Sequence, residues 1–360
     1  MVSLRTTLGL DQREVAGLDI GTASVKMVQL QRQGDGYIAT HAARVEVAPG
    51  GDSAEEAQAA TVKAIRQCLA EQPGLSRMAV CALCGPEIMV RGFRFPQLPP
   101  EAVGQAVMME AQQVCPLDIK SSVVDYQLVE GGGSATGAGA KQAGPIRGIF
   151  VVATNDAVRS KSHLVRGASV RNVLLDVEGL ALLNCVRLCQ AVPAGSSIAV
   201  VNVGRTFTNV ALLGADGLPF IRDLPHASDE IIAQIARAHG ISPAAATQIL
   251  RKNEESAEPA LDLRPTLRNA CRKLITDIAE TLRYYTLQEG AAPIARVNVC
   301  GGFALVGDFV KMMAESLPEE VTVLNPFTNI PWAGNDSGRE LVRKSGAALA
   351  VAAGLAMRTI

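Results

Sequence analysis

The chain has 360 residues, 48% hydrophobic and 19% charged, which excludes a mainly disordered protein and supplies core for two domains or one bilobed unit. Lys and Arg total 34 against 35 Asp and Glu, a formal net charge of -1, so there is no strong basic field to hold duplex nucleic acid. Aromatic residues at 4% also argue against a base-stacking platform.

No run of about 18 uninterrupted apolar residues occurs, so no spanning helix is expected. Residues 1–15 lack the apolar stretch of a signal peptide. Cys68, Cys81, Cys84, Cys115, Cys185, Cys189, Cys271 and Cys300 sit inside apolar segments, as reduced cytoplasmic thiols do when they serve as small core residues.

Residues 15–20 and 25–31 read as a hairpin around Gly21-Thr-Ala-Ser24, and Gly34-Asp-Gly36 turns the chain into a third strand at 37–47. Residues 55–71 follow as a helix with Val62, Ile65, Cys68 and Leu69 on one face, stopped by Pro73-Gly74. Strands at 78–83 and 88–95, a helix at 101–114 and strands at 123–129 and 146–153 make 78–153 a small β-β-α-β-β module. Its last hairpin carries the Gly/Ala-rich stretch 131–144, which lacks side chains to build a core and reads as a mobile loop. A helix at 155–168, a strand at 170–177 and a helix at 179–189 complete the first half.

Pro193-Ala-Gly195 marks a lobe boundary. Strands at 197–203, 207–214 and 218–223 then repeat the opening meander, and Val201-Asn-Val-Gly-Arg-Thr206 matches Gly17-Leu-Asp-Ile-Gly-Thr22. A repeat at about half the chain length implies two related lobes. A helix at 228–239 is expected to take Ser228 as its N-cap and Gly240 as its stop, and Ser242-Pro243 opens another. Residues 266–289 carry Leu267, Cys271, Leu274, Ile278, Leu282 and Tyr285 on one helical stripe, and the charged run 251–258 before them reads as a solvated loop. A strand at 297–300 breaks at Gly301-Gly302; a helix at 305–317, a strand at 321–324 and a closing Ala/Gly-rich helix at 346–357 follow.

Three glycine turns carry the chemistry. At the first, Gly21 lets backbone N–H groups approach a phosphate, Thr22 and Ser24 add hydroxyl donors, Lys26 adds charge, and Asp19 can hold Mg²⁺ directly or through water. At the second, Asn202, Gly204, Arg205, Thr206 and Thr208 offer the same hairpin chemistry, so a triphosphate could be pinched from both sides. At the third, Gly301, Gly302 and Phe303 form a strand-to-helix turn suited to an adenine-ribose unit. Other patterns favour plain packing. Cys81-Ala-Leu-Cys84 has no second pair and no nearby His, Cys185 and Cys189 are one helical turn apart, and the histidines at 41, 163, 226 and 239 form no ligand spacing.

With these motifs in this order, the chain resembles the actin-like ATPase superfamily, and within it the PilM-type pilus assembly family. The segments that carry the resemblance are Gly17-Leu-Asp-Ile-Gly-Thr-Ala-Ser-Val-Lys26, Met109-Glu-Ala-Gln-Gln-Val-Cys-Pro-Leu-Asp118, Val124-Asp-Tyr-Gln127, Leu175-Asp-Val-Glu-Gly-Leu180 and Asn325-Pro-Phe327. The resemblance implies an α/β, bilobed, ribonuclease H-like fold. Residues 15–77, 154–192 and 336–360 would form subdomain 1A, and 78–153 an inserted subdomain 1C. Residues 193–224 and 294–335 would form subdomain 2A, and 225–293 a helical subdomain 2B.

The same resemblance implies ATP and Mg²⁺ as cofactors, with Asp19 and either Asp176 or Glu178 near the metal. The family's usual second-loop aspartate is Asn202 here, so turnover is expected to be very slow or absent; losing an acidic group that polarises water costs roughly 10²–10⁴ in rate. The implied partner is the short cytoplasmic N-terminal tail of a PilN-like single-span inner-membrane protein, with pilus motor or platform proteins as further contacts. Met108, Met109, Glu110 and Gln113 are the candidate wall of the tail groove. The chain would then be a cytoplasmic adaptor, peripheral at the inner membrane through its partner, with no nucleic acid and no membrane insertion of its own. The alternative is an active ATPase or a small-molecule kinase of the same fold.

Overall fold

The first half forms β1 (Ala16–Ile20), β2 (Ser24–Gln33), β3 (Gly36–Glu46), α1 (Ala54–Glu71), β4 (Met78–Leu83), β5 (Ile88–Phe95), α2 (Pro100–Val114), β6 (Ser122–Leu128), β7 (Ile146–Thr154), α3 (Asn155–Gly167), β8 (Arg171–Val177) and α4 (Glu178–Cys189). The second half forms β9 (Ser197–Val203), β10 (Thr208–Leu213), β11 (Pro219–Leu224), α5 (Ser228–His239), α6 (Pro243–Lys252), α7 (Arg264–Thr286), β12 (Ile294–Cys300), α8 (Gly307–Ser316), β13 (Glu320–Val323), α9 (Asp336–Ser345) and α10 (Ala350–Ala356). This computed structural model describes residues 15–48, 53–129, 145–190, 192–252, 261–288 and 290–358. The 131–144 stretch, residues 1–14 and most of the 251–258 run lie outside the described residues.

Two five-stranded sheets repeat one design. The first has the order β3-β2-β1-β4-β8 and the second β11-β10-β9-β12-β13. In each, the first three strands are antiparallel neighbours and the last two join in parallel. The repeat read from the sequence is therefore a repeat of whole lobes, as the actin-like resemblance implies. Central strands are apolar on both faces because each sheet is covered on both sides.

The local signals explain most boundaries. Ser53 caps α1 in a reciprocal box with Glu56. Gly240 ends α5 in the left-handed conformation at φ 64°. Ser242 Oγ accepts from Ala245 N at 3.2 Å to start α6. All six residues of the α7 stripe are buried in the core of the second lobe.

Three expectations change. Met78–Leu83 does not open the inserted module. As β4 it lies between β1 and β8 in the first sheet, and the insert is a three-stranded sheet, β5-β7-β6, with α2 packed on it. A short apolar strand does not encode which sheet it joins, so long-range pairing decided this. Ser228 is not an N-cap: Ala227 holds that position, and the first N–H groups of α5 donate to the carbonyls of Gly204 and Arg205. The closing segment is not one helix. Residues Gly346–Leu349 make a tight 3₁₀ turn before α10, and the Ala347 carbonyl accepts from Gly301 N at 3.0 Å.

The lobes share a core. One apolar cluster joins Val28, Leu182, Val186 and Leu355 of the first lobe to Ile198, Val200 and Ala211 of the second. Close approach at this seam requires glycine. A Cβ on Gly17 would collide with the Ala352 carbonyl, and one on Gly354 with the Ala181 carbonyl. Thus α10 lies backbone-to-backbone on β1 and α4, at the base of the two hairpins described next.

Candidate functional site

The two glycine hairpins are built alike. In the first, Gly21 N donates to Ser24 O at 3.2 Å, and Asp19 stands opposite Lys26 in the β1–β2 register. In the second, Gly204 N donates to Phe207 O at 3.1 Å, and Asn202 stands opposite Asn209 in the β9–β10 register. Asn202 therefore occupies the position of Asp19, and Asn209 that of Lys26. The charged pair of one lobe is an amide pair in the other.

Lys26 Nζ lies 2.8 Å from Asp19 Oδ2, with only 13% and 7% of the two side chains exposed. Thr22 is exposed at the tip, whereas Ser24 is buried where β2 pairs with β3. On the second hairpin, Thr206 is exposed. Arg205 Nε donates to both Asp229 oxygens at 2.9 Å, in an exposed pair that leaves its Nη groups uncommitted. Thr208 is fully buried and donates to the His226 carbonyl at 2.8 Å, so its hydroxyl is structural.

The third turn lies against the second hairpin. Gly301 has φ 91°, and a Cβ there would sit 2.5 Å from both Asn202 Oδ1 and Val203 O. Gly302 faces open space. Phe303 does not face a base: it is 4% exposed and packs on Phe309 with ring centroids 4.9 Å apart. The first hairpin ends on the same side. β1 runs parallel to β4 with Leu18 opposite Cys81, and Gly85, just beyond β4, packs on the Phe207 ring of the second hairpin. All three turns thus lie on the side where the two lobes face each other.

Glu178 heads α4 at this junction. Burial lifts its carboxyl to about 7, and the Asp19 charge adds to the shift; a Cys84 hydrogen bond and Lys161 act the other way. Asp176 has a different fate. Its two oxygens take Arg358 Nε and Nη2 at 2.5 and 2.7 Å, so it is spent on an ion pair and is not available as a metal ligand. Among the described residues, no three His, Cys, Asp or Glu side chains gather closely enough to hold a metal ion.

Several residues at the junction escaped the sequence reading. Lys161 Nζ, from α3, donates to Ile20 O at 3.3 Å, just before the first glycine. Asp223, on β11, accepts from Asn209 Nδ2 and from Gly85 N, each at 2.6 Å. Burial raises its carboxyl above the ordinary range, against those two hydrogen bonds. Neither residue sits in a motif, and only folding brings them to the turns.

The insert presents a separate surface. On α2, Val103, Val107 and Ala111 face the module core, while Met108 and Met109 are 38% and 55% exposed. Gln113 is exposed and Glu110 half-buried. Beside them, among the described residues, β6 is an edge strand with Tyr126 and Leu128 exposed, and Gly104 on α2 leaves room for the Tyr126 ring. The alternation of Val124, Tyr126 and Leu128 was the signal for this face.

Residues 17–360 match the profile of the family described as type IV pilus assembly protein PilM. The chain belongs to that family. A chain of the solved "PilM-PilN type IV pilus biogenesis complex" is similar over 97% of this chain and 99% of its own, with 24% identity and a TM-score of 0.77. The ethanolamine utilization protein EutJ from Carboxydothermus hydrogenoformans is similar over 96% of this chain and 89% of its own, at 15% identity and a TM-score of 0.55. A diol dehydratase-reactivating factor in nucleotide-free form covers 95% and 99%, at 11% identity and a TM-score of 0.51. These likenesses show that the two-lobed fold described above is shared with solved structures. Among the described residues of this PilM-family chain, no helix is long and apolar enough to cross a membrane.

Proposed function

We propose that the chain is a nucleotide-binding adaptor of a pilus inner-membrane platform, and that its insert captures the cytoplasmic N-terminal tail of a PilN-like membrane protein. The observation that supports the nucleotide half is that the third glycine turn lies against the second, on the side where the first hairpin also ends. Gly21 and Gly204 would present backbone N–H groups to the phosphates, with Lys26 and Lys161 supplying charge. The buried Asn209 Oδ1 at this junction has no hydrogen-bond partner among the described residues, an acceptor suited to a ligand or its water. Gly302, open on its outer side, would face the adenosine. Mg²⁺ would ride on the phosphates, with Asp19 and Glu178 holding its waters.

Slow turnover fits this site. The second hairpin carries Asn202 in place of the carboxylate that Asp19 supplies on the first. The kinase reading has little behind it, since it needs an acidic base beside its acceptor, and Asp176, at the end of β8, is bound to Arg358. The partner half rests on the exposed Met108, Met109, Tyr126 and Leu128 beside the edge of β6, where an extended tail could pair its backbone and seat side chains. Its recruitment by a protein would place the chain peripherally at the inner membrane.

The test is a thermal shift with ATP and Mg²⁺, together with titration of a synthetic PilN-like tail peptide. A ligand at 100 times its Kd adds about 2.7 kcal/mol of stability. No shift with ATP would remove the nucleotide half, and no peptide binding would remove the adaptor half.

A further inference from the structure

We propose that Asp223 is a positioning residue that couples the second glycine hairpin to the inserted module. This rests on the nucleotide-and-tail reading above. Asp223 belongs to the second lobe, yet its two carboxylate oxygens serve different parts of the molecule. Oδ1 takes Asn209 Nδ2 on β10, and Oδ2 takes the backbone N–H of Gly85, each at 2.6 Å. Gly85 lies between β4 and β5, at the root of the insert. Asn209 lies two residues beyond Phe207, whose carbonyl closes the Gly204 turn.

A second link runs beside the first. Gly85 has φ 97°, and a Cβ there would lie 3.2 Å from the Phe207 ring. The insert root is therefore clasped by one hairpin residue directly and by another through Asp223. From this root, β5 pairs along its whole length with β7, and Phe93 joins Val103 and Val107 in the module core. Met108 and Met109 stand on that same helix. A shift of the second hairpin reaches the exposed methionines through packed, hydrogen-bonded elements. Further out, Arg147 and Asp216 lie 3.8 Å apart in a long and partly exposed pair, and such pairs hold little.

The chemistry of the carboxylate makes the link testable. Aspartate accepts from both donors at once, and an alanine there accepts from neither. An asparagine keeps both links once the Asn209 amide turns over: its oxygen accepts from Gly85 N and its Nδ2 donates to Asn209 Oδ1.

The experiment uses the full chain, Mg-ATP and the synthetic cytoplasmic tail of the cognate PilN-like protein. Coupling is the ratio of the ATP Kd with and without saturating peptide, and it must equal the ratio measured in the reverse order. In the wild type the ratio is expected to depart from 1 by at least about fivefold. D223A should bring it to within about twofold of 1 while each ligand still binds alone, and the conservative D223N should retain it. Amide exchange gives an independent readout: Mg-ATP should slow exchange over residues 85–95 in the wild type and not in D223A. A merely structural Asp223 would alter baseline exchange and leave the ratio intact. Wild-type coupling retained in D223A overturns the proposal, as does a wild type that binds both ligands without coupling. A wild type that binds neither ligand defeats the functional reading itself, and this proposal with it.

Discussion

Arg358 closes a two-point ion pair on Asp176, a residue 182 positions earlier in the chain. Only 4% of the Asp176 side chain is exposed. Breaking a buried pair strands the remaining charge, at a cost of about 3–5 kcal/mol, the upper part of which applies where neither group reaches water. Arg358→Ala should lower the urea midpoint accordingly. Asp176→Ala added to it should cost less than the sum of the single changes, as a double-mutant cycle on denaturation midpoints would reveal.

The seam between β1 and α10 should be intolerant of one methyl group. Gly17→Ala puts a Cβ into the Ala352 carbonyl, where both neighbours are backbone. Overpacking of this kind costs about 1–3 kcal/mol. The thermal midpoint should fall, while Gly36→Ala, where a Cβ would meet only the Gln33 carbonyl at 3.9 Å, should leave it nearly unchanged.

Glu178 sets a pH dependence. Its folded carboxyl titrates near 7, raised from 4.5 chiefly by burial and then by Asp19. The folded state therefore holds this proton more tightly than the unfolded chain does. The stabilisation is fully present below pH 4.5 and is lost as pH rises through 7. Glu178→Gln should flatten that part of the curve, so the variant gains on the wild type between about pH 5 and 8 when midpoints are compared.

The amide pair of the second hairpin suggests a gain of function. Asn202→Asp restores a carboxylate at the position that Asp19 holds in the repeated design. Phosphate release with Mg-ATP should rise, by up to roughly 10² if the group polarises water. An unchanged rate would move the search for the water-activating group to Glu178.

On the insert, Met109→Asp places a charge on an exposed helix face, outside the module core. Folding should be unaffected. Tail-peptide affinity should fall by more than about tenfold if Met109 is an interface anchor, as titration would measure.

The lobes were legible because each opens with the same short strands and the same glycine turn, and such local patterns survive in the sequence. The α7 stripe was legible because helical spacing alone puts Leu267 through Tyr285 on one face. What escaped was long-range. Nothing near Met78–Leu83 tells a central strand of the first sheet from an edge of the insert. The Thr208 hydroxyl looked like a phosphate donor because its partner, the His226 carbonyl, is placed by a turn 18 residues away. Asp176 looked like a metal ligand because Arg358 is remote, and Asp223 looked like nothing because its partners belong to two other segments.

The position of α10 also constrains how the molecule is made. Residues 350–356 line β1 and α4, so the first lobe lacks part of its core until that segment has left the ribosome. The second lobe's sheet, by contrast, is drawn wholly from residues 197–323. Ile198, Val200 and Ala211 of that sheet nevertheless pack into the same cluster as α10, so during synthesis the strands of both lobes can form before the core between them closes.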